Sequence, residues 1–137
     1  MKRLFRREEG QTAIEFALAM PFILMFIFFI IDMALLGFSV VSVTNAVREG
    51  ARCGAVGATD AAVIARVDSA SALGGGVDNV SLSRGSDIGS DISVGADYNY
   101  SFITPVGLVP GISGELSFSR ESVMRMETTP PYEAGCG

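Results

Sequence analysis

A long run of apolar residues dominates the first third of the chain. From Phe16 to Val43 the single ionic residue is Asp32, and the only hydroxyl side chains are Ser39 and Ser42. As an α-helix this run would be about 42 Å long, whereas the hydrocarbon core of a bilayer is about 30 Å thick. The pattern therefore predicts a helix that crosses a membrane and continues beyond it as a stalk.

Small residues recur along the predicted stalk. Ala46, Gly50, Gly54 and Ala58 are spaced four residues apart and would share one side of a helix. Such a stripe allows another backbone to approach closely. The glycines weaken an isolated helix, so packing must hold it. The sequence leaves two partners open, an element of the same subunit and a neighbouring subunit.

Asp32 interrupts the apolar run. A carboxylate deep in a bilayer needs a partner or a proton, whereas one at the membrane boundary does not. We expect Asp32 near the outer boundary, and a deep position with a partner is the alternative.

The chain changes character after Gly57. Thr59 is a suitable N-cap for a second, shorter helix over Asp60–Leu73, which the glycines at 74–76 end. The clearest strand runs from Ile92 to Phe102, where apolar or aromatic residues alternate with small or polar ones. This period of two is typical of a half-buried antiparallel strand.

Weaker strand patterns flank this segment. Val77–Ser83 alternates weakly, and Glu115–Glu127 is predicted as a return strand after a proline-containing connection over Thr104–Gly114. Arg120 and Ser122 interrupt the alternation of the return strand, which predicts a β-bulge. The residues expected to point inward from it are Leu116, Phe118, Met124 and Met126.

A sheet of this size with one short helix is marginal without another surface to pack on. The outer half of the long helix provides that surface. We therefore predict an α+β fold, in which a long N-terminal transmembrane helix extends into a stalk that packs on a small antiparallel β-sheet domain, giving a lollipop shape. The predicted boundaries are a basic leader at 1–10, the transmembrane helix and stalk at 11–57, and the exported domain at 58–137.

Basic charge is concentrated at the N-terminus. The first ten residues carry Lys2, Arg3, Arg6 and Arg7 against two glutamates, whereas the whole chain has a net charge of −5. Basic residues that flank an apolar span stay in the cytoplasm, so we expect a cytoplasmic N-terminus and an exported C-terminal domain. A plain signal anchor fits the same bias. A secretory signal peptide fits less well, because its apolar region would be shorter and closed by a small-residue cleavage site.

The composition argues against several functions. Because the chain has no histidine, it cannot build a Ser/His/Asp or Cys/His nucleophile or a His-ligated metal site. A pI near 4.6 argues against nucleic-acid binding. Asp87, Asp91 and Asp97 are weak candidates for acid/base hydrolysis or calcium binding, since they lie on a turn and on the outward side of a strand without EF-hand spacing. We expect no enzymatic activity, metal or cofactor.

The two cysteines are Cys53, on the stalk, and Cys136, the penultimate residue. An exported chain meets an oxidising compartment, where two thiols usually pair. We expect an internal disulfide that clamps the tail to the stalk. Free thiols, or an intermolecular bond through a mobile tail, are the alternatives.

The N-terminal motif carries a family resemblance. EEGQTAIEF resembles the type III signal of type IV pilins and pseudopilins, in which a glycine precedes the scissile bond and a glutamate is fifth in the mature chain. The apolar run with its early proline, the segment VTNAVREGARCGAVG and the ending SFSRESVMRME are similar to the TadE-like pseudopilins of the tight-adherence (Tad/Flp) system. The resemblance covers nearly the whole chain and implies a pilin-like fold.

The resemblance also implies roles for individual residues. Cleavage would fall between Gly10 and Gln11 and remove residues 1–10 as a prepilin-type leader. Phe16 completes the Glu-Phe dipeptide of the Tad branch. Glu15 would meet the N-terminal amine of a neighbouring subunit in the membrane and fix the axial register. A carboxylate in an apolar run is otherwise costly, although Glu15 at the cytoplasmic interface could simply reach water.

The implied function is that of a minor pseudopilin in a pilus or secretion apparatus, with roles in adhesion and secretion. Its partners would be the prepilin peptidase, the major Flp-type pilin, other minor pseudopilins, and the inner-membrane assembly platform with its ATPase. It would be a single-pass inner-membrane protein with a periplasmic C-terminal domain, located in the membrane or in the pilus. The alternative is a single-pass membrane-anchored envelope module that binds a ligand or partner and never enters a filament; an intact Met1 would favour it.

Overall fold

The computed structural model describes residues 8–71, 77–104, 114–133 and 135–136. These residues form helix α1 (Glu8–Ala55), helix α2 (Asp60–Ser71) and strands β1 (Asn79–Arg84), β2 (Asp91–Ser101) and β3 (Glu115–Arg125). The strands pair antiparallel in the order β1-β2-β3. The C-terminal half of α1 packs against this sheet. The predicted α+β fold, a long N-terminal helix on a small antiparallel sheet, is confirmed.

Helix α1 ends at a glycine-dependent turn. Gly57 has a φ of +99°, a left-handed conformation that favours glycine. In this conformation the Ala58 amide donates to the Cys53 carbonyl at 3.2 Å, and the Gly57 amide donates to the Gly54 carbonyl at 3.1 Å. The chain can therefore reverse at once into α2. Thr59 caps α2 as predicted, because its Oγ1 accepts a hydrogen bond from the Ala62 amide at 3.4 Å.

Helix α2 packs on the stalk through valines and one ion pair. Val63 and Val67 are completely buried, and the guanidinium of Arg66 lies 2.7 Å from the Glu49 carboxylate on α1. The hydrogen bond from Arg66, and then its charge, lower the pKa of Glu49. Because both side chains of this ion pair are exposed, it adds little, and burial of the valines contributes most of the free energy that holds α2 on α1. The predicted end of α2 at Leu73 lies outside the described residues.

The core lies between one side of α1, the valines of α2 and one face of the sheet. The central strand β2 alternates as predicted, with its buried residues facing α1 and its polar residues facing away. The buried apolar residues that make up this core are Val43, Ala46, Val47, Ala51, Cys53, Ala55, Ala58, Val63, Val67, Ile92, Val94, Ala96, Tyr98, Tyr100 and Met126.

The β-bulge predicted in the return strand is wrong. Strand β3 pairs with β2 in an uninterrupted register from Asp91↔Arg125 to Ser101↔Glu115. Arg120 and Ser122 occupy the α1-facing side of the strand, paired with Ala96 and Val94. Polar residues are tolerated there because β3 is at the edge of the described sheet and is largely exposed. The Arg120 guanidinium lies over the Phe118 ring, 5.5 Å from its centroid.

The residues predicted to point inward from β3 are buried to different extents. Met126 is 1% exposed, whereas Leu116 is 43% exposed. Phe118 and Met124 are half-buried. Helix α1 therefore covers β3 only in part. The predicted connection over Thr104–Gly114 lies outside the described residues except at its two ends.

Candidate functional site

The N-terminal half of α1 is uncovered. No residue from 10 to 31 is buried by the rest of the chain, although Phe22 and Phe26 are large side chains that are 70% and 65% exposed. Continuous apolar surface of this kind is unfavourable in water. Of the described helices, α1 is the one that is long and apolar enough to cross a membrane, over Gly10–Ala55.

The residues of the N-terminal motif lie together on the first turns of this exposed surface. At Gly10 an added Cβ would meet nothing within 4 Å, and Phe16 is 59% exposed. The Gln11 amide nitrogen Nε2 donates to Oε1 of Glu15 at 3.2 Å. Both side chains are exposed, so an outside partner can reach the Glu15 carboxylate.

Asp32 marks the point at which the sheet begins to cover α1. Its side chain is 1% exposed and accepts hydrogen bonds from the amides of Ile103 and Thr104, each at 3.0 Å. The Thr104 hydroxyl also donates to Oδ2 of Asp32, and the Tyr100 hydroxyl lies 3.3 Å from Oδ1. The sequence left open whether Asp32 lies at the membrane boundary or lies deeper with a partner. The structure shows that the Asp32 carboxylate has hydrogen-bond partners, which come from the end of β2 and the residues that follow it.

The hydroxyls of β2 reinforce this contact. Burial, and next the charge of Asp32, raise the pKa of Tyr100, so its phenol stays protonated and can donate to Asp32. About two helical turns further along α1, the Tyr98 hydroxyl lies 3.3 Å from Oγ of Ser39. Asp32 and Ser39 of the apolar run therefore each face a tyrosine at the helix–sheet contact.

The Asp32 contact limits how deeply α1 can enter a bilayer. An open sheet with unpaired edges is not stable in hydrocarbon, so a segment of α1 that crosses a membrane would lie N-terminal to Asp32. The exposed apolar surface from Ile14 to Ile31 is about 27 Å long, which matches a hydrocarbon core of about 30 Å. The stalk and the sheet would then stand together on one side of the membrane.

The small-residue stripe lies against the chain's own elements. A Cβ at Gly50 would overlap Cγ2 of Val67, and a Cβ at Gly54 would overlap Cδ1 of Ile92. Ala46 and Ala58 are completely buried. Of the two partners left open by the sequence, the structure places this stripe against α2 and β2 of the same subunit.

The C-terminal tail is fixed to the end of α1. Cys53 and Cys136 are joined by a disulfide, with their Cα atoms 5.0 Å apart. The Thr59 amide donates to the Glu133 carbonyl at 2.9 Å, and the Glu133 amide donates to the Gly57 carbonyl at 2.8 Å. The tail therefore pairs with the turn between α1 and α2.

We expect the purified exported protein to contain this disulfide and no free thiol. A bridge over 83 residues would stabilise the fold by about 4 kcal/mol in the chain-entropy treatment. The measurement is alkylation during denaturation, since Cys53 is buried in the folded chain, with and without prior reduction. Two alkylated cysteines in the unreduced sample would contradict the pairing.

Arg84 is a partly buried cation, with its side chain 10% exposed, that the sequence reasoning missed. Its Nη1 donates to the Ala58 carbonyl at 2.9 Å, its Nη2 lies 2.5 Å from Asp60, and its guanidinium lies 4.5 Å from the centroid of the Tyr132 ring. The sequence of β1 could have predicted this position, because Arg84 continues the alternation of Val80 and Leu82 and so lies on the α1-facing side. Arg84 thus connects the helical turn, α2 and the tail.

The acidic residues considered for catalysis or calcium binding lie on β2 and on the turn between β1 and β2. Asp87, Asp91 and Asp97 are exposed. The polar contact of the Asp97 carboxylate is with the Asn79 amide nitrogen Nδ2, at 3.4 Å. Within the described ranges, no group of three or more Cys, Asp or Glu side chains could hold a metal ion.

Comparison with known proteins finds a family match in the N-terminal part of the chain. The family model described as TadE-like protein matches residues 10–52, which comprise the uncovered half of α1 and most of the stalk. No curated protein and no solved structure matches the chain.

Proposed function

The chain belongs to the TadE-like protein family, and on that premise we propose that it is a minor pilin-like subunit that is processed and assembled into a Tad/Flp-type pilus or secretion apparatus. TadE-like proteins are pilin-like proteins associated with Tad pili, and they are generally structural rather than enzymatic. One observation carries the proposal. The family match begins at Gly10 and extends over the uncovered half of α1 and most of the packed stalk.

We propose that prepilin peptidase cleaves between Gly10 and Gln11. Residues 1–10 would then be a leader, residues 11–57 the membrane helix and stalk, and residues 58–137 the exported domain. The open space around Gly10 supports this assignment, because no described side chain would block access to the bond. The cleaved chain would begin with a positively charged amine at Gln11, one helical turn before Glu15.

We propose that Glu15 recognises the amine of a neighbouring subunit. Among the described residues its carboxylate accepts a hydrogen bond from the neutral side-chain amide of Gln11, and an amide brings no positive charge to it. An unneutralised charge among lipid chains is costly, and an ammonium group of a second chain would offset much of that cost. This contact would set the axial position of one helix against the next.

The basic residues of the first ten support an N-terminus in the cytoplasm and a C-terminal domain in the periplasm. The partners on this proposal are the prepilin peptidase, the major Flp-type pilin, other minor pseudopilins and the inner-membrane assembly platform. The uncovered apolar helix supports contacts within the membrane, where a pilus is assembled.

The experiment for this proposal compares Glu15→Ala with Ile14→Ala. Ile14 is the adjacent residue and is 63% exposed, so its replacement tests a similar loss of side chain without a loss of charge. We expect Glu15→Ala to be cleaved normally but to reduce crosslinking to pilin partners and piliation by about tenfold. Ile14→Ala should behave as the wild type.

Two readouts keep the interpretation clear. Cleavage is measured by mass spectrometry, and assembly by crosslinking and by counting pili. Wild-type piliation in Glu15→Ala cells, with this subunit still crosslinked to its partners, would disprove the register role.

A further inference from the structure

Helix α1 has a second uncovered face, beyond the segment that crosses the membrane. Phe38, Val41, Asn45, Arg48 and Arg52, here called the outer stripe, follow one another at spacings of three and four residues. All five are exposed, and the spacing places them on one side of the helix. The residues of α1 that pack on the sheet and on α2 occupy the opposite side.

The outer stripe is apolar at the end nearer Asp32 and basic at the end nearer Ala55, where α1 ends. Phe38 and Val41 are 51% and 59% exposed. Arg48 makes no hydrogen bond or ion pair within the described residues. Arg52 has no hydrogen bond or ion pair there either, although its charge attracts the nearby Glu49 carboxylate, which accepts a hydrogen bond from Arg66 of α2. Arg48 lies sixteen residues beyond Asp32, about 24 Å along the helix, so lipid headgroups at the level of Asp32 are out of its reach.

The face of the sheet that points away from α1 has the opposite charge. It consists of the odd-numbered residues of the three strands and is here called the outer sheet face. Seven of these fifteen residues are serine or glycine, so much of the surface is flat enough for a helix to lie on it. The charged residues on this face are four acids and one base, namely Asp91, Asp97, Glu115, Glu121 and Arg125.

A shallow groove crosses the middle of the outer sheet face. It has a volume of about 250 Å³ and lies beside Gly95 and Ser81, between Asp97 and Glu121, with the backbone carbonyl of Arg120 close to Gly95. Arg120 donates to the Ser119 carbonyl at 3.0 Å. Glu121 makes no hydrogen bond or ion pair within the described ranges.

The arginines and this groove lie at the same height above the membrane. Val94 contacts α1 at the level of Gly50, and its neighbour Gly95 pairs with Glu121. Glu121 is therefore level with the turn of α1 that carries Arg48 and Arg52. Two copies inserted to the same depth would place the arginines of one opposite the acids of the other.

We propose that the outer stripe of one copy docks on the outer sheet face of a second copy, with Arg48 and Arg52 beside Glu121 and Asp97. Charge complementarity selects this occupant, because a symmetric contact between two outer stripes would bring arginine against arginine. The two surfaces are on opposite sides of the molecule, so the contact is front to back. It keeps all α1 helices parallel and can be repeated along a row of subunits. The inference rests on the proposed function only in requiring that copies share one membrane.

The test is cysteine crosslinking between two differently tagged full-length copies in a membrane that contains no other pilus component. Asn45→Cys lies in the middle of the outer stripe, and Ser119→Cys lies beside the groove on the outer sheet face. We expect a mixed disulfide dimer from Asn45→Cys with Ser119→Cys. The matched controls are Asn45→Cys with itself and Asn45→Cys with Ser101→Cys, which is on the same sheet face near the level of Asp32.

Charge reversal makes the test specific. Arg48→Glu combined with Arg52→Glu should reduce the mixed dimer about tenfold, and Glu121→Arg on the other copy should restore part of it. Retention of the Cys53–Cys136 bond, read by mass, shows that each variant is folded. A mixed dimer no stronger than the controls, or one insensitive to charge reversal, would overturn the docking. Because other pilus components are absent, failure of the docking is distinguishable from a failure of cleavage or assembly in the native cell.

Discussion

Replacing Asp32 with alanine should lower the free energy of unfolding of the sheet against α1 by about 3 kcal/mol. The carboxylate accepts hydrogen bonds from the amides of Ile103 and Thr104 and from two hydroxyls. These donors are at least partly buried, so most of them would have neither a protein acceptor nor full access to water after the replacement. The measurement is urea-dependent proteolysis of the full chain in detergent micelles.

Two further variants separate the hydrogen bonds from the loss of volume. Asp32→Asn keeps one acceptor oxygen and should lose about half as much stability. Met33→Ala changes a neighbouring residue that is 38% exposed and should have little effect. A change of less than about 0.5 kcal/mol for Asp32→Ala would mean that these hydrogen bonds do not hold the sheet on the helix.

A leucine at Gly50 should destabilise the chain by about 3 kcal/mol, whereas a leucine at Gly37 should be neutral or stabilise it slightly. A Cβ at Gly50 would overlap Val67, whose branched side chain cannot easily move, whereas a Cβ at Gly37 would meet nothing within 4 Å. The two variants share one helix and one substitution. Their difference, measured by the same proteolysis in micelles, therefore reports packing alone.

The Gly50 variant also distinguishes the two roles of the small-residue stripe. Packing within one subunit predicts that Gly50→Leu is unstable even when each micelle holds a single copy. Full stability in that state, together with loss of assembly, would show instead that the stripe serves contacts between subunits.

Local patterns in the sequence were enough to predict the helix, the central strand and their association. The apolar run is unbroken over Phe16–Ile31, and the alternation of β2 continues through eleven residues. Each signal depends on neighbours in sequence, and a helix or strand obeys the same spacing wherever it packs.

The wrong prediction of a bulge and the questions that the sequence left open all concern contacts between residues that are distant in sequence. The polar residues Arg120 and Ser122 suggested a bulge, but an edge strand accepts polar side chains without changing its register. The donors to Asp32 lie about seventy residues away, so no spacing rule could identify them. The small-residue stripe had two possible partners, because close approach looks the same in sequence whichever backbone is involved.

The residues of the N-terminal motif were found through their resemblance to a family signal rather than through the fold. The structure describes Gly10, Gln11 and Glu15 as an exposed helical turn, which is compatible with cleavage but would also suit a plain anchor. On the proposed function, their chemistry would depend on a peptidase and a neighbouring subunit, and neither can be deduced from the packing of a single chain.

The most direct test of the central proposal is the intact mass of this protein after co-expression with its prepilin peptidase. We expect a chain that begins at Gln11, and an uncleaved chain when the peptidase is absent or when Gly10 is replaced by glutamate. The major pilin in the same membranes serves as the control for peptidase activity. A protein that keeps residues 1–10 while the major pilin is cleaved would contradict the account and favour a plain membrane-anchored module.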